Sequence, residues 1–266
     1  MFLSEQNKQT SRFVGCTALS PKDGCLHKEW RESDMFMFMD PTYMLVIGLG
    51  FILSFGAQMW VKSAIKKWSQ VPTGRGMTGR DVAQLILETK GIRGVRIEET
   101  SGFLGDHYDP RDKTLRLSAD NFHGRSVAAA GIAAHEVGHA IQDAEGYGPM
   151  ALRQKMVPVA NLGTTAGIWM VIIGAMIGMA GLAKLGVALF AAFVLFTIVT
   201  LPVEIDASRR ATAALSSTAV LGPQELTGVN HVLTAAAATY LAAAVGAILQ
   251  LAYWASRAGL LGGSDD

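Results

Sequence analysis

Three residues in AAHEVGHAIQ, 133–142, have types and spacing that could do chemistry together: His135, Glu136 and His139. On a helix the two histidines project from one face about 6 Å from each other, so two imidazoles can share one metal ion. Glu136 is turned by about 100° from His135 around the axis, which suits a general base better than a ligand. A Zn2+ ion in that grip would acidify water to a pKa near ~7 and polarise a carbonyl, and peptide hydrolysis needs both actions.

Catalytic zinc takes a third protein ligand and keeps one open position. LPVEIDASRRA, 201–211, offers Glu204. Two apolar crossings separate it from the histidines, so it returns to their side of a membrane. Asp206, two residues on, points away from the Glu204 face of a regular helix. It is expected to support the site from outside, by orienting a ligand histidine or by pairing with Arg209 or Arg210. His107, Tyr108 and His231 are candidate donors to an oxyanion, each without geometry at this stage.

The element that must carry HExxH is a helix. Ser126 can cap it, VAAAGIAAHEVGHAIQDAE continues it, and Gly146 with Pro149 beyond stops it. Its apolar part is only about fifteen residues long and is flanked by charges, too short to span on its own, so it is placed beside the membrane.

The rest of the chain supplies that membrane. Half of the 266 residues are hydrophobic and 17% are charged, and the mean hydropathy is +0.29, too apolar for an ordinary soluble domain. A net charge of +1 gives no broad field, which argues against nucleic acid as a partner. The run 43–60 is uncharged and matches the ~30 Å hydrocarbon layer. The run 157–203, interrupted only by Lys184, would reach roughly 70 Å as one helix and must therefore fold into two spans, with a turn expected at 181–186. The alanine-heavy run 234–254 makes a fourth. Gly163, Gly167, Gly174 and Gly178 let a neighbouring helix approach the second span closely. Lys62, Lys66, Lys67, Arg153, Lys155, Arg209 and Arg210 all fall on one side, the cytoplasm under the positive-inside rule.

Between the first two spans, VRIEE (95–99) and TLRLS (114–118) have strand character with turn formers between them, which reads as a hairpin or sheet edge. TLRLS is the strand expected to receive an extended substrate. Cys16 and Cys25 fit neither a metal knuckle nor a redox pair and are taken as incidental thiols.

These readings give a mainly α, multi-span helical membrane protein with an HExxH helix and a small α+β region beside the membrane. The expected division is a flexible and possibly non-native tail 1–34, a first span 35–61, a catalytic region 62–156, a transmembrane hairpin 157–203, a helix with the third ligand 204–233, a fourth span 234–256 and a C-terminal tail 257–266. The expected activity is zinc-dependent endopeptidase action, with Glu136 as base, on polypeptides that are unfolded or associated with the membrane. Lipid is the other partner, and the oligomeric state is open. Two alternatives remain: cleavage inside the bilayer, and a non-catalytic zinc scaffold closed by His107, His123 or His231.

HEVGHAIQ, GRSVAAAGIAAHE, DHYDPR and LPVEIDASRRA together resemble the YugP-type neutral zinc metallopeptidases of bacterial membranes. The similarity covers about residues 35 to 254. It implies a zincin embedded in the bacterial plasma membrane, with His135 and His139 as ligands, Glu136 as catalyst and Glu204 as third ligand. More distantly, the order of HExxH, apolar hairpin and glutamate is similar to the HtpX and CAAX-processing membrane proteases. Those carry an aspartate four residues after the glutamate; here that place is Ser208 and the aspartate is Asp206.

Overall fold

The computed structural model describes residues 40–101 and 105–261. The expectations for residues 1–34, for Cys16 and Cys25, and for 262–266 lie outside them.

Asp40 caps α1 (Pro41–Ser69) by accepting the Thr42 amide at 2.8 Å, with Pro41 at the first helical position. There follow α2 (Gly79–Thr89), β1 (Arg96–Thr100), β2 (His107–Asp109), β3 (Thr114–Ser118), α3 (Ala119–Phe122) and α4 (Val127–Ala144). The chain then passes through α5 (Gly148–Leu162), a π-turn (Gly163–Gly167), α6 (Ile168–Met176), α7 (Ala180–Thr218) and α8 (Pro223–Arg257). Among the described residues, four stretches are long and apolar enough to cross a membrane: Pro41–Ser69, Gly148–Met176, Ala180–Thr218 and Pro223–Arg257.

The second and third of these form the expected hairpin, but the reversal falls earlier than 181–186. Gly178 takes φ +71°, a left-handed conformation that glycine adopts without strain, and the Met179 amide closes on Gly174 O at 2.7 Å. Lys184, Gly181 and Gly186 are therefore already helical, and Gly178 serves the turn rather than the packing. Gly163, Gly167 and Gly174 do lie against α7, so the close approach read from the sequence holds for three of the four.

The sheet also differs from the expected hairpin. β1 and β3 pair in parallel, and the segment read as turn residues contributes β2, antiparallel on the other side of β3. TLRLS is thus the central strand with both edges taken, so it has no edge to offer a substrate. Helix α2 was not anticipated, although Thr78 and Asp81 form a reciprocal capping box at its start.

α4 runs through the centre. Ser126 accepts the Ala129 amide at 3.2 Å, and Gly146 with φ +66° ends the helix, as the sequence indicated. Its small side chains let neighbours approach from several directions. Val82 and Ile86 of α2 and Leu115 and Leu117 of β3 join the same buried cluster as Val203 and Leu215 of α7 and Val229 of α8. The long apolar helices α7 and α8 thus also wall the region built by α2, β3 and α4. At α1, the indole nitrogens of Trp60 and Trp68 lie 3.2 and 3.0 Å from the two ring nitrogens of His231, whose one acceptor nitrogen takes one of the two N–H groups, so the first helix is tied to the last.

Candidate metal centre

Helix periodicity and one glycine bring the histidines and the glutamate together. His135 and His139 stand one turn apart on α4 with ring centroids 4.9 Å apart. Gly138 sits where α7 crosses: a Cβ there would lie 2.4 Å from Ala207 O. That contact draws Glu204, one turn earlier on α7, up to the imidazoles. Glu204 Oε2 lies 3.2 Å from His135 Nε2 and 3.6 Å from His139 Nε2. The ligand atoms of these three residues all fall within 4.8 Å of one another, an arrangement that could hold a metal ion.

The far sides of both rings are held as well. Gln142, fully buried, donates its amide N–H groups to Val203 O at 2.8 Å and to Asp206 Oδ2 at 2.9 Å. Its Oε1 is thereby turned to His139 Nδ1 at 3.0 Å. Since an amide oxygen only accepts, His139 carries its proton on Nδ1 and leaves the Nε2 lone pair free. Ser208 Oγ donates to Glu204 O at 3.0 Å and accepts from His135 Nδ1 at 3.1 Å, which sets the same tautomer. Two Nε2 lone pairs and a carboxylate oxygen then face each other in a buried space. Three acceptors without a proton or cation between them repel, so the donor set fits a divalent cation.

Asp206 meets Gln142 rather than a histidine, and it also pairs with Arg210, which in turn reaches Glu145. The pairing with Arg210 is one of the arrangements expected of it. Glu136 is buried at 8% exposure and makes no hydrogen bond or ion pair among the described residues. Burial by itself would push the pKa of His139 down; the hydrogen bond that a protonated ring would donate to Glu204 and the charges of Glu136 and Glu204 outweigh it, and the net direction is upward.

The other nominated donors are committed elsewhere. Tyr108 donates to Asp143 at 2.8 Å, His107 Nδ1 faces Gly105 O at 3.0 Å, and His231 is taken by the two tryptophans. His123 meets Glu99 at 2.9 Å. Four residues that sequence reasoning left out do border the site. Gln142 is three residues past His139, within HEVGHAIQ itself. Ser208 occupies the place where the more distant families have an aspartate. Arg153, read only as a flanking charge, reaches Glu204 Oε1 at 3.1 Å. Tyr240, in the alanine-rich half of α8, stands beside Glu204 and Glu136, and a polar side chain in such a span was the available signal. Next to Ser208 a cleft of about 780 Å³ runs between α7 and α8, walled by Ile205, Thr212, Asn230 and Leu233.

The family described as "Putative neutral zinc metallopeptidase" matches residues 43–259. A protein of Bacillus subtilis (strain 168) named "Putative membrane protease YugP" is 42% identical over 209 residues, which covers 79% of this chain and 92% of that one. No solved structure matches the chain.

Proposed function

The chain belongs to this neutral zinc metallopeptidase family, and from that premise we propose that it is a multi-pass membrane endopeptidase whose zinc is held by His135, His139 and Glu204. The observation that carries the assignment is the convergence of His135 Nε2, His139 Nε2 and Glu204 Oε2, with Ser208 and Gln142 behind the two rings at Nδ1. When bound, zinc supplies Lewis acidity, which polarises the scissile carbonyl and makes water a nucleophile near neutral pH.

The chain's own residues do the rest. Glu136, uncommitted and one position past His135, accepts the proton of the attacking water and passes it to the leaving amine. Ser208 and Gln142 keep the imidazoles neutral at Nε2 and hold them in register through the reaction. Asp206 supports Gln142. The cleft beside Ser208 is of a size that takes part of a peptide, and its position next to the limits of the apolar runs of α7 and α8 favours substrates that are unfolded or associated with the membrane. The positive flanks of the spans favour a site on the cytoplasmic face of the bacterial plasma membrane.

Glu136→Gln tests the reading. The ligands survive and the base is lost, so the purified variant should keep its zinc while cleavage of an unfolded protein such as casein falls about 10²–10⁴-fold. A Gln variant as active as wild type would remove Glu136 from the mechanism. Glu204→Ala, assayed beside it for metal content, should lose zinc.

The non-catalytic scaffold is disfavoured because His107, His123 and His231, the residues available for a fourth ligand, are all engaged elsewhere. Cleavage inside the bilayer is disfavoured because α4 is not among the four stretches able to span.

A further inference from the structure

The carboxylate of Glu204 has two oxygens, and they face different partners. Oε2 is turned to the imidazoles at 3.2 and 3.6 Å, while Oε1 meets Arg153 Nη1 at 3.1 Å. Arg153 comes from α5, the other arm of the membrane hairpin. Its pairing with Glu204 is its one ion pair within 4 Å among the described residues. Arg210, on α7 itself, is taken by Asp206 and Glu145. The Glu204 side chain is 3% exposed and that of Arg153 28%, so the contact is dry at the carboxylate and reaches water at the guanidinium.

The terminal torsion of a glutamate is broad, and a carboxylate held at one oxygen can swing or present both oxygens to an ion. A planar guanidinium on Oε1 removes that freedom and leaves Oε2 as the oxygen facing the histidines. The same contact spreads the charge of a buried carboxylate that would otherwise be costly to keep ionised without metal. We propose that Arg153 is a positioning residue for the metal centre, which fixes the Glu204 carboxylate so that one oxygen is offered to the ion. The proposal rests on the zinc site assigned above. It also couples metal affinity to the seating of α5 on α7, since the guanidinium reaches Glu204 only when the two arms of the hairpin lie together.

The test is zinc affinity of the full chain in detergent micelles, read by competition with a chelator and by metal analysis. Wild type, Arg153→Met, Arg153→Lys and Lys155→Met are compared, with the thermal midpoint of each. Removing a group that orients a ligand weakens binding about 10–100-fold, and that is the loss expected for Arg153→Met. Arg153→Lys should recover part of it, because an ammonium can still pair with Oε1 but lacks the planar fork. Lys155→Met removes the same charge from the same helix without touching Glu204 and should bind like wild type. Arg153→Met within twofold of wild type overturns the proposal, as does an equal loss in Lys155→Met, which would make the effect a general field. If Arg153→Met fails to fold, an Arg153→Lys protein with unchanged affinity and midpoint overturns it equally well. A wild-type protein that binds no zinc defeats the site assignment itself and this proposal with it. One that binds zinc yet cleaves nothing defeats the peptidase reading and leaves the positioning role standing.

Discussion

α1 and α7 are both apolar enough to cross a bilayer, yet the most apolar window of α1 has 0% of its residues buried inside the protein and that of α7 has 39%. In α1 the apolar surface faces outward: Leu45, Phe51 and Ile52 are each about two-thirds or more exposed. In α7, Phe190, Val194, Val203 and Ala207 are buried against neighbours. Hydrophobicity has two uses here. Along α1 it satisfies lipid, whereas along α7 it packs protein, and only the second use can set the position of a side chain to a fraction of an ångström. Glu204 is on the helix of the second kind.

Glycines mark the contrast most sharply, and the largest effect is expected at Gly138. A Cβ there meets the Ala207 backbone at 2.4 Å for O, 3.0 Å for C and 3.1 Å for Cα. Backbone in a packed helix cannot yield as a flexible side chain does, so α7 must move away from α4 and carry Glu204 with it. Gly138→Ala should lower zinc affinity by more than about 100-fold and cost about 1–3 kcal/mol of stability, the usual range for overpacking a core. Chelator competition and thermal denaturation measure the two. A folded variant with wild-type affinity would show that this crossing does not set the site.

A smaller loss is expected from Gln142→Leu, which keeps the volume and removes the hydrogen bonds. His139 loses the acceptor at Nδ1, and Val203 O and Asp206 lose their donor. Zinc binding should weaken about 10–100-fold, with the fold retained, since α4 and α7 still meet at Gly138. Equal affinity in the Leu variant would mean that packing alone orients the ring, and the contrast between the two helices would then need no polar support.

What the sequence made legible follows the same division. Periodic and local signals were readable: the Ser126 cap, the four apolar runs, the one-turn spacing of His135 and His139, and the return of Glu204 to the two histidines. Each depends on helix geometry or on bilayer thickness, which are common to all chains. Contacts between elements were not readable. Nothing in the strand pattern of VRIEE says that it pairs in parallel with TLRLS, because the register and direction of pairing depend on what covers the sheet. Gln142 and Ser208 are polar residues of ordinary type, and only the crossing at Gly138 makes them partners of the histidines. Arg153 was assigned to the positive flank on charge alone; its reach to Glu204 depends on how α5 lies on α7. The turn of the hairpin was misplaced by a few residues because 178, 181 and 186 are all glycine, and only packing distinguishes the one that must turn.

The smallest effect is expected on α1, and it is informative because it is small. A Cβ at Gly56 would find no atom within 4 Å. If this face meets only lipid, Gly56→Ala fills no protein contact and breaks none. The helix itself gains slightly, since alanine in a helix interior is favoured over glycine by up to about 1 kcal/mol. Zinc affinity should therefore stay within twofold of wild type and the thermal midpoint should be equal or slightly higher. The same substitution, glycine to alanine, thus separates the helices cleanly: damaging at Gly138, where the added methyl group meets a backbone, and silent at Gly56, where no atom of the described residues lies within 4 Å. A marked loss of stability in Gly56→Ala would show that this face of α1 is covered by protein in the membrane, and the division between a lipid-facing and a site-building helix would fall.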